Sequence, residues 1–154
     1  MKNYYLVIPL VVLAVALMGG WLTNQGVSTW YITLALPEVA PAGGFIGTVW
    51  TIIFILSAVA VVLIWNERKK IRHFSWVVSL LTANAVLNVV WSYLFFVQHL
   101  LGWAIVEMVV LNLTTLALIV LVWRKQQLAA WLLVPYFLWV CFATYLAYSI
   151  WLLN

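Results

Sequence analysis

Apolar residues run along this chain in five long stretches, Tyr4–Leu22, Gly44–Trp65, Phe74–Val97, Leu100–Trp123 and Leu128–Leu153. Four carry no charge, and the fourth in order carries only Glu107. About 20 helical residues, at 1.5 Å each, cross a hydrocarbon core of roughly 30 Å. Each stretch is long enough, so the pattern predicts an all-α bundle of five transmembrane helices in a single domain spanning 1–154. The spans use nearly the whole chain and leave no room for a soluble domain. The first stretch follows Lys2 as a secretory leader would, but no A-x-A-like cleavage site follows, so it reads as a retained span.

The breaks between stretches are short except one. The segment Thr23–Ala42 holds Trp30, Tyr31, Pro37 and Pro41, and loops of such length are usually functional or disordered. Leaving Trp30, Tyr31, Leu34 and Leu36 in water would be costly, so a folded lid over one end of the bundle is expected. An interfacial aromatic belt explains the same rings.

Charge then orients the bundle. With five spans, the N-terminus, the Glu67–His73 loop and the Arg124–Gln127 loop share one side. Lys2, Arg68, Lys69, Lys70, Arg72, Arg124 and Lys125, all 7 Lys and Arg of the chain, lie there. The positive-inside rule puts that side in the cytoplasm and the C-terminus outside, with a bacterial plasma membrane as the expected location. The basic balance is therefore a topology signal and gives no support to a nucleic-acid partner. Cys141 stands alone in mid-helix, so neither a disulfide framework nor a metal cluster is expected.

Composition sharpens the class. The chain is 68% hydrophobic and 6% charged, with 11 Trp, whereas soluble domains carry about a quarter charged residues. Flat apolar walls with indole N–H donors suit a planar ligand. Asn84, Asn88 and Ser92 fall at i, i+4 and i+8 on one face of the third span, beside Trp91 and Phe95. They serve either as hydrogen-bonded helix glue or as the polar stripe of a cavity. Trp50, Asn88, Trp91 and Ala143 share the outer half of the membrane, with Trp139 one turn deeper. That arrangement suggests a lidded aromatic pocket.

Glu107 lies roughly 7 Å from the outer end of its helix at 1.5 Å per residue. It can reach the headgroup region or sit neutral, and no second intramembrane carboxylate or Lys builds a proton relay. Gly43-x3-Gly47-x3-Thr51 reads as a small-residue stripe for close helix contact. Pro135 is expected to kink its helix or free a carbonyl.

Several runs resemble the TspO/MBR family of translocator and tryptophan-rich sensory proteins. Trp131-Leu132-Leu133-Val134-Pro135-Tyr136-Phe137-Leu138-Trp139, then Phe142-Ala143-Thr144, is similar to the family's fifth helix. Trp30-Tyr31-x2-Leu34-x2-Pro37-x3-Pro41, then Gly47-x2-Trp50, resembles its first loop and second helix, and Asn84-x3-Asn88-x2-Trp91-Ser92 its third. The resemblance implies a five-helix bundle, often a homodimer, that binds porphyrins such as protoporphyrin IX and also sterols and benzodiazepine-type ligands, with no required cofactor. Matching positions imply a ligand site of Tyr31, Trp50, Asn88, Trp91, Ser92, Trp139, Phe142 and Ala143, with Trp30, Pro37 and Pro41 in the lid. It also implies that, in an enzymatic variant, light-dependent porphyrin breakdown would use Trp50 and Trp139.

Two departures stand out. The family loop reads Lys-Pro-x-Trp-x-Pro-Pro, but here it is Leu36-Pro37-Glu38-Val39-Ala40-Pro41-Ala42, without the Lys, the Trp and the second Pro. No Lys or Arg follows Lys125, so the terminal cholesterol motif is absent. A receptor for planar hydrophobic ligands is expected, with porphyrin-degrading and purely structural roles as rivals.

Overall fold

The computed structural model describes residues 3–154, which form a bundle of five helices. These are α1 (Tyr4–Gly26), α2 (Gly43–Asn66), α3 (Phe74–Ser92), α4 (Leu101–Trp123) and α5 (Gln127–Leu153). A π-helical turn, Tyr93–Val97, prolongs α3, and a 3-10 turn, Tyr31–Thr33, lies in the connection between α1 and α2. With the π turn counted into the third span, five helices are long and apolar enough to cross a membrane. Lys2, one of the residues used to orient the chain, lies outside the described residues.

One boundary differs from the sequence expectation. α1 continues four residues past Leu22, through Thr23-Asn24-Gln25-Gly26. Polar residues at a membrane surface do not end a helix, because the backbone hydrogen bonds are made within the segment whatever the side chains are. The long connection shortens accordingly. Gly26 also permits a close approach, since a Cβ there would collide with the Phe96 carbonyl oxygen of the π turn.

The helices pack around two apolar clusters. One, towards the end carrying the Tyr31 loop, gathers Ile53, Phe95, Met108, Leu111, Val140 and Ile150. The other, towards the basic loops, gathers Ala60, Ile64, Leu118, Val122, Ala129 and Leu133. A polar belt separates them. Asn84 Nδ2 donates to Thr115 Oγ1 at 2.8 Å and to Thr114 Oγ1 at 3.2 Å. Tyr136 donates to Asn84 Oδ1 at 2.9 Å and accepts from Asn88 Nδ2 at 3.1 Å. In hydrocarbon such groups must find partners within the protein, and here α3, α4 and α5 supply them to one another. α5 runs unbroken through Pro135.

The α1–α2 connection is folded over the end of the bundle. Trp30 stacks on His99 at 4.1 Å and meets Phe95 edge-on at 5.5 Å. Asn154, at the end of α5, clamps Ala35 through both its backbone N–H and its carbonyl, each at 3.0 Å. His99 itself takes a left-handed backbone (φ 57) at the turn into α4.

Candidate functional site

A cavity of about 530 Å³ opens beneath this connection. That volume lies within the roughly 300–1,000 Å³ usual for small-molecule sites. α1, α2, α3, the π turn and α5 wall it, and α4 contributes no lining residue. The eight residues singled out from the sequence, Tyr31, Trp50, Asn88, Trp91, Ser92, Trp139, Phe142 and Ala143, all lie on its wall. Trp30, Pro37 and Pro41 do not. Trp30 instead meets Phe95, which does line the cavity, edge-on.

The wall is largely aromatic. Trp91 lies nearly parallel to Phe95 at 5.3 Å and perpendicular to Phe96 at 5.7 Å. Trp139 leans on Phe142 at 5.5 Å, and Trp50 contacts Phe54 at 5.6 Å and Tyr136 at 6.2 Å. Rings in these tilted and edge-on pairs hold each other in place, each worth about 0.5–1.5 kcal/mol beyond area burial. The π turn carries Phe95 and Phe96 inward, a use of such turns that recurs at functional sites.

Polar groups on the wall are few. The indole N–H groups of Trp91 and Trp139 are buried and have no acceptor within the protein. An unmet buried donor costs about 1–3 kcal/mol. Asn88 is tied to Tyr136 through its amide nitrogen while also facing the cavity. It is therefore helix glue and wall at once, so the two sequence readings of this stripe were not exclusive. Burial raises the Tyr31 phenol above its ordinary 10.0, which keeps its O–H a donor.

One sequence expectation is corrected here, and a second is narrowed to one of its two readings. Gly43 and Gly47 do not mediate helix contact. Both line the cavity, and a Cβ on either would meet nothing within 4 Å. The small-residue stripe makes room for the void. Glu107 does not reach towards headgroups, because it is 7% exposed and neither carboxyl oxygen has a hydrogen-bond partner. It faces the core on α4, away from the cavity wall.

Sequence reasoning missed the α1 wall, made by Ala16, Gly19, Gly20, Thr23 and Asn24, with Val27 just beyond the helix. The signal was present, since Ala16, Gly20 and Thr23 form a small-residue stripe at helical spacing in an otherwise bulky span. It also missed Leu146, Ala147 and Ile150, which continue the Ala143 face of α5.

The TspO/MBR family model matches residues 7–152. The chain belongs to the TspO/MBR family. It is 39% identical over 126 residues to the tryptophan-rich protein TspO of Bacillus cereus, covering 82% of this chain and 81% of that one. It is 32% identical over 152 residues to the protein of that name from Archaeoglobus fulgidus, covering 94% and 93%. The human translocator protein is 31% identical over 123 residues, with 79% and 73% covered. This is a TspO/MBR membrane protein, and its five apolar helices are those of an integral membrane protein.

Proposed function

We propose that the upper cavity binds a planar hydrophobic ligand of the tetrapyrrole class, protoporphyrin IX being the first to test, and that the protein acts as a receptor in sensing or transport. The observation that carries this reading is the aromatic cavity itself, walled by Trp50, Trp91, Phe95, Trp139 and Phe142. A planar macrocycle with peripheral carboxylates offers rings to these walls and acceptors to the polar lining residues Asn24 and Ser92. Family membership supports the same reading without identifying the ligand. The basic loops support an orientation with the cavity on the outer side of a bacterial plasma membrane.

The test is saturable quenching of tryptophan fluorescence by protoporphyrin IX, compared across four Trp→Phe variants. Trp50→Phe and Trp139→Phe remove an indole N–H and part of a ring from the wall. Each is expected to weaken binding about tenfold, equivalent to about 1.4 kcal/mol. Trp76 is 67% exposed, and Trp123 packs on Trp131 at 5.2 Å, far from the cavity wall. Substituting either should leave affinity unchanged. If all four behave alike, the cavity is not the site. Product that forms only in light, and not in Trp139→Phe, would make the protein an enzyme at this site. Absence of saturable binding would favour a structural role.

A further inference from the structure

A second cavity, of about 630 Å³, runs from Trp65 near the basic loops along the polar belt to Val90, and shares Phe54 and Asn88 with the first. Val7 and Val11 of α1 and Val86 of α3 line it and are exposed by 52%, 53% and 56%. It therefore opens sideways, at α1 and α3, onto the hydrocarbon of the bilayer. Its inner wall includes Asn84, Thr115 and Tyr136, whose polar groups are already bonded to one another. What remains for an occupant is almost wholly apolar. The α1 wall from Val7 to Met18 is about 16 Å long at 1.5 Å per residue. That is about half of a 30 Å core, the depth of one leaflet.

A cation stands at the mouth of the cavity. Trp65 lines it, and the Arg68 guanidinium donates to the Trp65 carbonyl at 2.9 Å while lying 5.4 Å over the Tyr4 ring. These two contacts hold a cation at the membrane-surface end of the cavity. Lys69 and Arg72 are exposed in the same loop, and Lys70 pairs with Glu67 at 2.7 Å. Four bases less one acid leave this loop with a net positive charge. Basic clusters beside a span attract anionic headgroups.

We propose that this cavity takes one acyl chain of an anionic phospholipid from the leaflet on the basic side, with Arg68 holding the phosphate. Zwitterionic lipid can fill the same apolar space but leaves the cation unmatched, so the site discriminates by headgroup and binds by chain.

Native mass spectrometry on the full chain in a neutral maltoside detergent tests this. The lipids titrated are phosphatidylglycerol and phosphatidylcholine with identical chains, and soluble glycerol phosphate is the headgroup control. One phosphatidylglycerol should be retained at saturation, about tenfold more tightly than phosphatidylcholine, while glycerol phosphate should neither bind nor compete. Arg68→Gln should remove most of that tenfold preference. Ala85→Phe, which fills the cavity from α3, should weaken both lipids about tenfold, and Val12→Phe does the same from α1 should the first variant not fold. Equal affinity for the two lipids, or competition by glycerol phosphate, would overturn the proposal. So would a folded cavity-filling variant that holds phosphatidylglycerol as the parent does. No porphyrin enters the measurement, so its outcome is independent of the upper site.

Discussion

Gly47 separates the two meanings of a small-residue stripe, and Gly47→Leu is the perturbation that decides between them. If the stripe served helix contact, a leucine would collide with a neighbouring helix and overpack it, at about 1–3 kcal/mol. Instead a Cβ at Gly47 meets nothing within 4 Å, because the residue faces the 530 Å³ cavity. Glycine inside a helix costs about 0.5–1 kcal/mol relative to alanine. Removing that cost without a clash should leave Gly47→Leu as stable as the parent, or up to about 1 kcal/mol more stable. The Thr51 hydroxyl, which back-bonds to the Gly47 carbonyl at 2.9 Å, is undisturbed. Affinity should move the other way. A leucine side chain projecting between Trp50 and the α1 wall occupies ligand space and should lower protoporphyrin affinity by tenfold or more. Gly26→Ala is the matched control, because its Cβ would collide with the Phe96 carbonyl. That variant should lose about 1–3 kcal/mol by overpacking. Thermal unfolding followed by circular dichroism, beside fluorescence quenching on the same preparations, reads both quantities. A Gly47→Leu protein that melts well below the parent, or that binds porphyrin normally, refutes the reasoning.

Three further outcomes are expected. Asn84, with three hydrogen bonds, should cost more stability on replacement by Ala than Asn88, with one, at about 0.6 kcal/mol per bond; chemical unfolding gives the ranking, and ligand affinity should fall more for Asn88→Ala. Glu107→Gln should melt no lower than the parent, since no cation or donor compensates the carboxyl; a large loss of stability would reveal a partner for it. A reporter active only in the cytoplasm should be silent when fused after Asn154, and activity there would reverse the orientation drawn from the basic loops.

The spans were legible because hydrocarbon punishes charge, which makes the breaks visible however the helices pack. The faces were not legible in the same way. All five helices are apolar nearly all round, so no strong amphipathic stripe tells an inward face from a lipid-facing one. Glu107 shows the consequence: its depth followed from counting residues, but its direction, into the core of α4, did not. The glycines show it again. A small residue fits equally against a neighbouring backbone or beside a void, and only the third dimension says which lies opposite Gly43 and Gly47. The aromatic wall was reached through likeness to a family pattern, which encodes convergence of helices that spacing alone does not carry. The α1 wall fell outside that pattern, because small residues on a span without a polar or aromatic stripe do not by themselves mark a cavity.

The division of labour among the helices explains how the bundle tolerates two large cavities. Voids forfeit dispersion contacts and destabilise in proportion to their size, so the packing that holds the fold must lie elsewhere. It lies mainly between α4 and α5, the most extensively packed pair. Each has eight buried residues, against three for α1: Ile8, Gly19 and Gly26. α4 lines none of the upper cavity and touches the lower one only at Thr115 and Leu118. α1 lines both and is buried chiefly where glycine lets it sit against Ser92 and the π turn. The stable half of the molecule therefore fixes α5 and, through the Asn84–Tyr136–Asn88 belt, α3, which together carry Trp91 and Trp139. The lightly packed α1 closes the remaining side. A ligand entering either cavity fills space already present and leaves the α4–α5 packing untouched.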